Sequence, residues 1–231
     1  MIGVFLRGAT LAALLAGSAA AGEARFEWFD YRGADPVNAA IKAGPDEYRN
    51  PILSGFYPDP SITRVGEDYY LVASTFAYFP GLPVFKSRDL VSWTQIGNAI
   101  DRPGQLDFGT LGLSRAVFAP TIHWRDGTFY ILNTCVDCGG NYVITAKDPA
   151  GPWSDPVWIP EAVDGIDPSF FFDDDGRTYV LNNGPPEGRP LYEGHRAIWM
   201  QEFDLRGMKA VGPRKVLVNG GVDLSTKPIW I

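Results

Sequence analysis

Cysteine and histidine are scarce in this chain, two of each in 231 residues. The cysteines form a single C-x-x-C, Cys135-Val136-Asp137-Cys138, without a second pair or a neighbouring His cluster. Zinc binding and thioredoxin-like redox chemistry therefore lack their usual context, and a local disulfide or two free thiols remain as readings. Long helical periodicity is also missing, and 19 Pro with 26 Gly cut the chain into short segments. No apolar run reaches the roughly 20 residues a membrane-spanning helix needs. Positive charge is in deficit: 20 basic against 27 acidic residues give a formal net charge of −7. Such a surface disfavours nucleic acid and anionic membranes as partners, whereas neutral ligands such as sugars fit; oligomeric state is not legible.

What is present suffices for a folded core, with 45% hydrophobic and 13% aromatic residues. The chain opens with one positive charge, Arg7, then an apolar run from Ala9 to Ala16 and the small residues Ser18-Ala19-Ala20-Ala21. That is the pattern of an export signal over residues 1–21, placing the mature chain in the periplasm or outside the cell. Residues 22–49 read as a leader with one short helix, capped by Asp35, entered through Pro36 and ended by Gly44.

From residue 50 onward a hairpin recurs. Asp59-Pro60-Ser61-Ile62 precedes Gly66-Glu67-Asp68 and Tyr69-Tyr70-Leu71-Val72. Ala119-Pro120-Thr121-Ile122 precedes Asp126-Gly127 and Phe129-Tyr130-Ile131-Leu132, and Asp167-Pro168-Ser169-Phe170 precedes Asp173-Asp174-Asp175-Gly176 and Tyr179-Val180-Leu181. Each copy is a short strand, an Asp- or Gly-containing turn and a second strand rich in aromatic and β-branched residues. The copies start at positions 59, 119 and 167, which suits four-stranded propeller blades of ~40 to 50 residues with variable loops. Further strand-like runs cover Asn141 to Ala146, Ala197 to Phe203 and Lys215 to Val218. The expected fold class is all-β, with residues 50–231 supplying three to four blades of an incomplete propeller. The apolar ending Pro228-Ile229-Trp230-Ile231 reads as that of a fragment.

In a propeller the innermost strands line a central channel, so equivalent repeat positions converge. Asp59 and Asp167 are equivalent. Asp-Pro is a common turn former, yet the middle repeat has Ala119 there, so the turn does not require a carboxylate. Two inward carboxylates are what acid–base hydrolysis needs; turn formation alone stays open as the alternative. Asp173, Asp174 and Asp175 lack the alternating ligand spacing of a calcium loop and read as a hairpin turn. Glu193 and Glu202 read as exposed carboxylates, and His123 as a packing or surface residue.

Asn50-Pro51-Ile52-Leu53-Ser54-Gly55-Phe56-Tyr57-Pro58-Asp59-Pro60-Ser61-Ile62 resembles the opening of the catalytic domain of glycoside hydrolase family 43. Ser74-Thr75-Phe76, Phe79-Pro80-Gly81-Leu82-Pro83-Val84, Ser87 to Trp93, Phe118 to Ile122, Gly165 to Ser169 and His195 to Trp199 continue the likeness in order, to Ile231. The β-xylosidase and α-L-arabinofuranosidase type is the branch it resembles. The resemblance implies a five-bladed β-propeller acting on xylose- or arabinose-containing oligosaccharides of plant cell walls by inversion. It implies Asp59 as general base, Asp167 as the residue that tunes and orients the acid, and Phe76 and Phe118 as walls of the terminal-sugar subsite. Phe118 stands where β-xylosidase relatives often carry Trp, which leaves the sugar preference open. The family's acid is a Glu in a Glu-Gly-Pro-His segment that would follow Ile231, so the 231-residue chain alone is expected to be inactive. No metal or cofactor is implied within it; a channel calcium, held through a later His, is implied only for some full-length relatives. The alternative is a non-catalytic sugar-binding propeller fragment.

Overall fold

The computed structural model of the protein describes residues 43–160 and 164–220. The expected export signal, the leader helix and the apolar ending lie outside the described residues. Among the described residues every regular element is a strand, and the thirteen strands form three antiparallel sheets whose hydrogen-bonded order follows the chain. The first comprises β1 (Ser61–Val65), β2 (Asp68–Val72), β3 (Gly81–Ser87) and β4 (Thr94–Ile100). The second comprises β5 (Ala116–Val117), β6 (Thr121–Arg125), β7 (Thr128–Val136), β8 (Gly140–Ala146) and β9 (Val157–Trp158). The third comprises β10 (Ile166–Phe172), β11 (Thr178–Gly184), β12 (Ala197–Asp204) and β13 (Lys209–Val218).

Each repeated hairpin belongs to a different sheet. The β6–β7 turn carries Asp126 at φ 50° and Gly127 at φ 74°. Two positive φ values in a two-residue loop are what the right-handed twist of a tight hairpin selects. The Asp173–Gly176 turn is longer. Asp173 accepts the Asp174 N–H, while Asp175 accepts the Arg177 N–H and pairs with its guanidinium, so these carboxylates hold the turn itself.

The second sheet is the middle layer, and strand alternation gives it two buried faces. Phe129, Ile131 and Ile144 point toward the first sheet, where they pack with Tyr70, Val72, Leu82 and Val84. Leu132 and Val143 point the opposite way, against Phe170, Val180 and Phe203 of the third sheet. Full burial of one such aliphatic side chain is worth about 1.5–3 kcal/mol, so the two-sided pattern along β7 and β8 binds three layers together.

Polar ties cross both seams. The Ile122 N–H donates to Ser61 Oγ at 3.1 Å, and Thr121 Oγ1 donates to the Pro168 carbonyl at 2.8 Å. Ser61 and Thr121 hold the same place in successive repeats, two residues after Asp59 and Ala119. His123 joins the second seam, where its Nε2 accepts the Phe170 N–H at 3.2 Å. Its ring lies between Phe170 and Phe172, with centroids 6.0 and 5.8 Å away, which makes it the packing residue expected.

Cys135 and Cys138 are joined in a disulfide that closes the β7–β8 hairpin, with Cα atoms 5.1 Å apart. Gly139 follows with φ 131°; a Cβ there would run into the Trp158 ring. Glycine is thus required on two counts, backbone conformation and contact with that indole.

Candidate active site

The inner strand of each sheet is interrupted at the same repeat position. In the first sheet β1 begins at Ser61, but the Ser74 N–H reaches past Pro60 to the Pro58 carbonyl at 2.9 Å. In the second, β5 and β6 both pair with β7 and are separated by Phe118-Ala119-Pro120. In the third, β10 shifts register between Ile166 and Ser169, around Asp167-Pro168. Proline has no N–H to give to a ladder, so the strand must step out of pairing and resume. Such bulges re-aim the residue at the step.

At two of the three steps that residue is an aspartate. Asp59 has φ 54° and Asp167 φ 58°, a left-handed conformation uncommon for non-glycine residues and disfavoured before proline. Ala119 is not among the positive-φ residues. The two aspartates thus share a backbone geometry as well as a sequence position. Departures of this kind concentrate at functional sites, which strengthens the chemical reading over simple turn formation.

The fully buried Ser74 donates through Oγ to Asp59 Oδ2 at 2.8 Å, which orients a carboxylate that is otherwise exposed. Asp167 is partly buried. Burial pushes its carboxyl above the usual range, the Asp59 charge pushes it the same way, and the Arg196 guanidinium pulls it back. The sequence-predicted pair therefore sits within electrostatic reach. Asp167 is held on a rigid edge: Gly165, at φ 140°, lies so close to the Asn183 carbonyl that any Cβ would collide with it.

Phe76 and Phe118 are also brought together, with ring centroids 5.4 Å apart and planes at 76°. Their backbones explain why. Phe76 and Val117 exchange N–H···O bonds of 2.8 and 3.1 Å, while the Phe118 N–H donates to the Thr134 carbonyl and its own carbonyl accepts from Asn133 Nδ2 at 2.6 Å. The wall is longer than the sequence indicated. Phe56 packs on Phe76 at 6.0 Å and on Tyr78 at 5.9 Å, and both Phe56 and Tyr78 are more than half exposed. Their signal was proximity in the chain, Phe56 three residues before Asp59 and Tyr78 two after Phe76.

Both histidines are committed to backbone. His195, 5% exposed, accepts the Leu191 N–H at Nδ1, and its Nε2 meets the Asn219 carbonyl at 3.2 Å. With Nδ1 accepting, Nε2 must carry the proton, so the ring is the neutral Nε2–H tautomer. His123 Nε2 is likewise occupied by a peptide N–H. Neither fits the residue that would hold a channel calcium.

The chain thus carries two aspartates within electrostatic reach of one another and a cluster of aromatic rings on an all-β scaffold, groups that acid–base chemistry on a sugar can use. Comparison with known proteins makes this specific: residues 48–231 match the family model described as Glycosyl hydrolases family 43, and the chain belongs to that family. It is 51% identical over 174 residues to a xylosidase/arabinosidase of Butyrivibrio fibrisolvens, an alignment covering 75% of this chain and 34% of that protein. It is 46% identical to a xylan 1,3-β-xylosidase of a Vibrio species, covering 74% and 33% respectively. Among solved structures, a GH43_12 protein from a capybara gut metagenome matches with TM-score 0.77 and 50% identity, over 86% of this chain and 38% of the other. The xylan β-1,4-xylosidase of Bacillus halodurans matches with TM-score 0.69 and 40% identity, over 76% and 34%. The chain thus spans about a third of the length of the relatives it matches.

Proposed function

We propose that this chain is part of an exported, inverting exo-glycosidase that releases xylose or arabinofuranose from plant cell-wall oligosaccharides. The carrying observation is that Asp59 and Asp167 occupy the same interrupted position of two repeats and share a left-handed backbone, with the Asp59 charge bearing on Asp167. Relatives named as xylosidases and arabinofuranosidases support the substrate class. In this reading the three sheets are successive blades of a five-bladed propeller whose remainder lies beyond residue 231. Cys135–Cys138 fits an oxidising compartment, where disulfides persist.

Asp59 is the general base. Held by Ser74, it removes a proton from a water that attacks the anomeric carbon from the face opposite the leaving group. The C–O bond to the leaving sugar breaks as the new one forms, and a glutamic acid supplied beyond residue 231 protonates the departing oxygen. Base and acid in such sites stand ~6.5–9.5 Å apart, leaving room for the water and inverting the configuration. Asp167, an anion beside the acid, raises the acid's proton affinity and orients it. Phe76 and Phe118 pack on the sugar ring. No step calls on a metal or cofactor.

The test compares aryl β-xyloside and aryl α-L-arabinofuranoside hydrolysis by the 231-residue chain and by a chain extended through its reading frame. Activity is expected only in the longer chain, with Asp59→Ala lowering it by on the order of 10² to 10⁴. Activity of the 231-residue chain would place the acid elsewhere, and inactivity of both would favour a sugar-binding propeller.

A further inference from the structure

Arg196 immediately precedes β12 and makes two hydrogen bonds to one residue. Its Nε donates to Asn183 Oδ1 and its Nη2 to the Asn183 carbonyl, each at 2.9 Å. Asn183 is the β11 residue paired with Ile166, so the guanidinium is clamped to the strand partner of Asp167's own neighbour. Asn183 is in turn paired with Ile198 of β12, close to the start of the strand Arg196 leads into. Two bonds to a single anchor fix the plane of the guanidinium, a geometry a lysine cannot reproduce. Arg196 makes no ion pair with a described residue, whereas Arg177, just before β11, pairs with Asp175. Its charge is exposed and held in place beside the β10 step that carries Asp167, on whose carboxylate it acts.

We propose that Arg196 is a positioning residue of this site, the fixed cation that allows Asp59 and Asp167 to face one another, with Asn183 as its anchor. The inference rests on the reading of those aspartates as a hydrolytic pair. The charged and titratable groups around Asp167 are Asp59 before β1, His123 on β6, Asp164 on its own approach segment, and Arg196 before β12. His123 is neutral, with Nε2 occupied by the Phe170 N–H, and Asp164 adds negative charge. Arg196 is the cation among these four. Without it, burial and Asp59 act on Asp167 unopposed and the carboxylate takes up a proton at higher pH. A neutral Asp167 no longer presents an anion to the acid, so the working protonation states of the whole site depend on a residue that need not touch the bond being broken.

The test is a pH titration of ¹³C-labelled aspartate carboxyls in the 231-residue chain, comparing the parent protein with Arg196→Met, Arg196→Lys and Asn183→Ala. The Asp167 midpoint is expected to rise by about one pH unit in Arg196→Met, a tenfold gain in proton affinity. It should return most of the way in Arg196→Lys, and rise by a smaller amount in Asn183→Ala, where the guanidinium is kept but unclamped. A merely structural role would lower thermal stability and leave that midpoint in place. A midpoint unchanged in both Arg196→Met and Asn183→Ala overturns the proposal, and Asn183→Ala with Arg196→Lys decides it if Arg196→Met does not fold. Asp167→Asn in the extended chain separates the two ideas: full hydrolytic activity there would overturn the hydrolytic reading while leaving the titration result standing.

Discussion

At the scale of single residues, His123 carries a pH dependence. Burial lowers its proton affinity from the ordinary 6.5 to about 4, and its Nε2 must stay unprotonated to accept the Phe170 N–H. Between those two values the unfolded chain binds a proton that the folded chain refuses. The stabilisation is therefore complete above about pH 6.5 and is lost as pH falls through about 4, with a ceiling of ~3 kcal/mol. Urea unfolding at pH 7 and pH 4.5 should show this. His123→Gln, which keeps an acceptor that does not titrate, should lose about 2 kcal/mol less over that interval than the parent. The candidate site was legible in part for a residue-level reason. Asp59 and Asp167 stood out because Ala119 breaks the pattern they share. Arg196 did not, since its neighbourhood with Asp167 is created by β10–β11–β12 pairing across 29 positions of chain, and no local pattern encodes that. Ser74 was visible only within the Ser74-Thr75-Phe76 stretch of the family likeness, its bond to Asp59 being a tertiary event.

At the scale of elements, β5 is short but consequential. It has two residues, both fully buried, and it pairs with the last two of β7, Ala116 with Val136 and Val117 with Cys135. Phe118 follows it directly and Phe76 is bridged to Val117, so both aromatic walls hang from the end of β7 that the disulfide secures. Breaking a crosslink over so short a loop costs ~2 kcal/mol in chain entropy. Reduction should lower urea stability by about that amount in the parent protein. Cys135→Ala with Cys138→Ser should be as unstable without reductant, and its backbone resonance changes should concentrate at Phe76, Val117 and Phe118. Changes spread evenly across all three sheets would mean that the bond does not act through β5. A two-residue strand has no period to read, which is why β5 escaped the sequence. The first half of β13 escaped for the opposite reason. Gly212-Pro213 reads as a breaker, yet the strand absorbs it in a register shift opposite Met200 and Glu202, where Gln201 Nε2 bonds to the Gly212 carbonyl. By contrast β8 and β12 match the runs expected within a residue, because apolar alternation and flanking turns coincide there.

For the molecule as a whole, the all-β class followed from three copies of one hairpin, and each sheet contains one of those copies. What periodicity could not convey is how the sheets hold one another. Alternation marks Ile131 and Leu132 as buried on opposite sides, but only packing reveals that those sides belong to different neighbours. The ties at the seams have a kinetic meaning. The amide hydrogens of Ile122 and Phe170 are held by side chains, Ser61 from the preceding sheet and His123 from across the second seam, so their exchange with solvent deuterium reports sheets parting before strands fray. Below about pH 4 the Phe170 amide should lose protection faster than the Ile122 amide, once intrinsic rates are accounted for, because its acceptor is taken by a proton. Equal loss at the two would mean that the seams open as one. The molecule thus holds two clocks, one of them set by acid, and the order in which they run tells which layer leaves first.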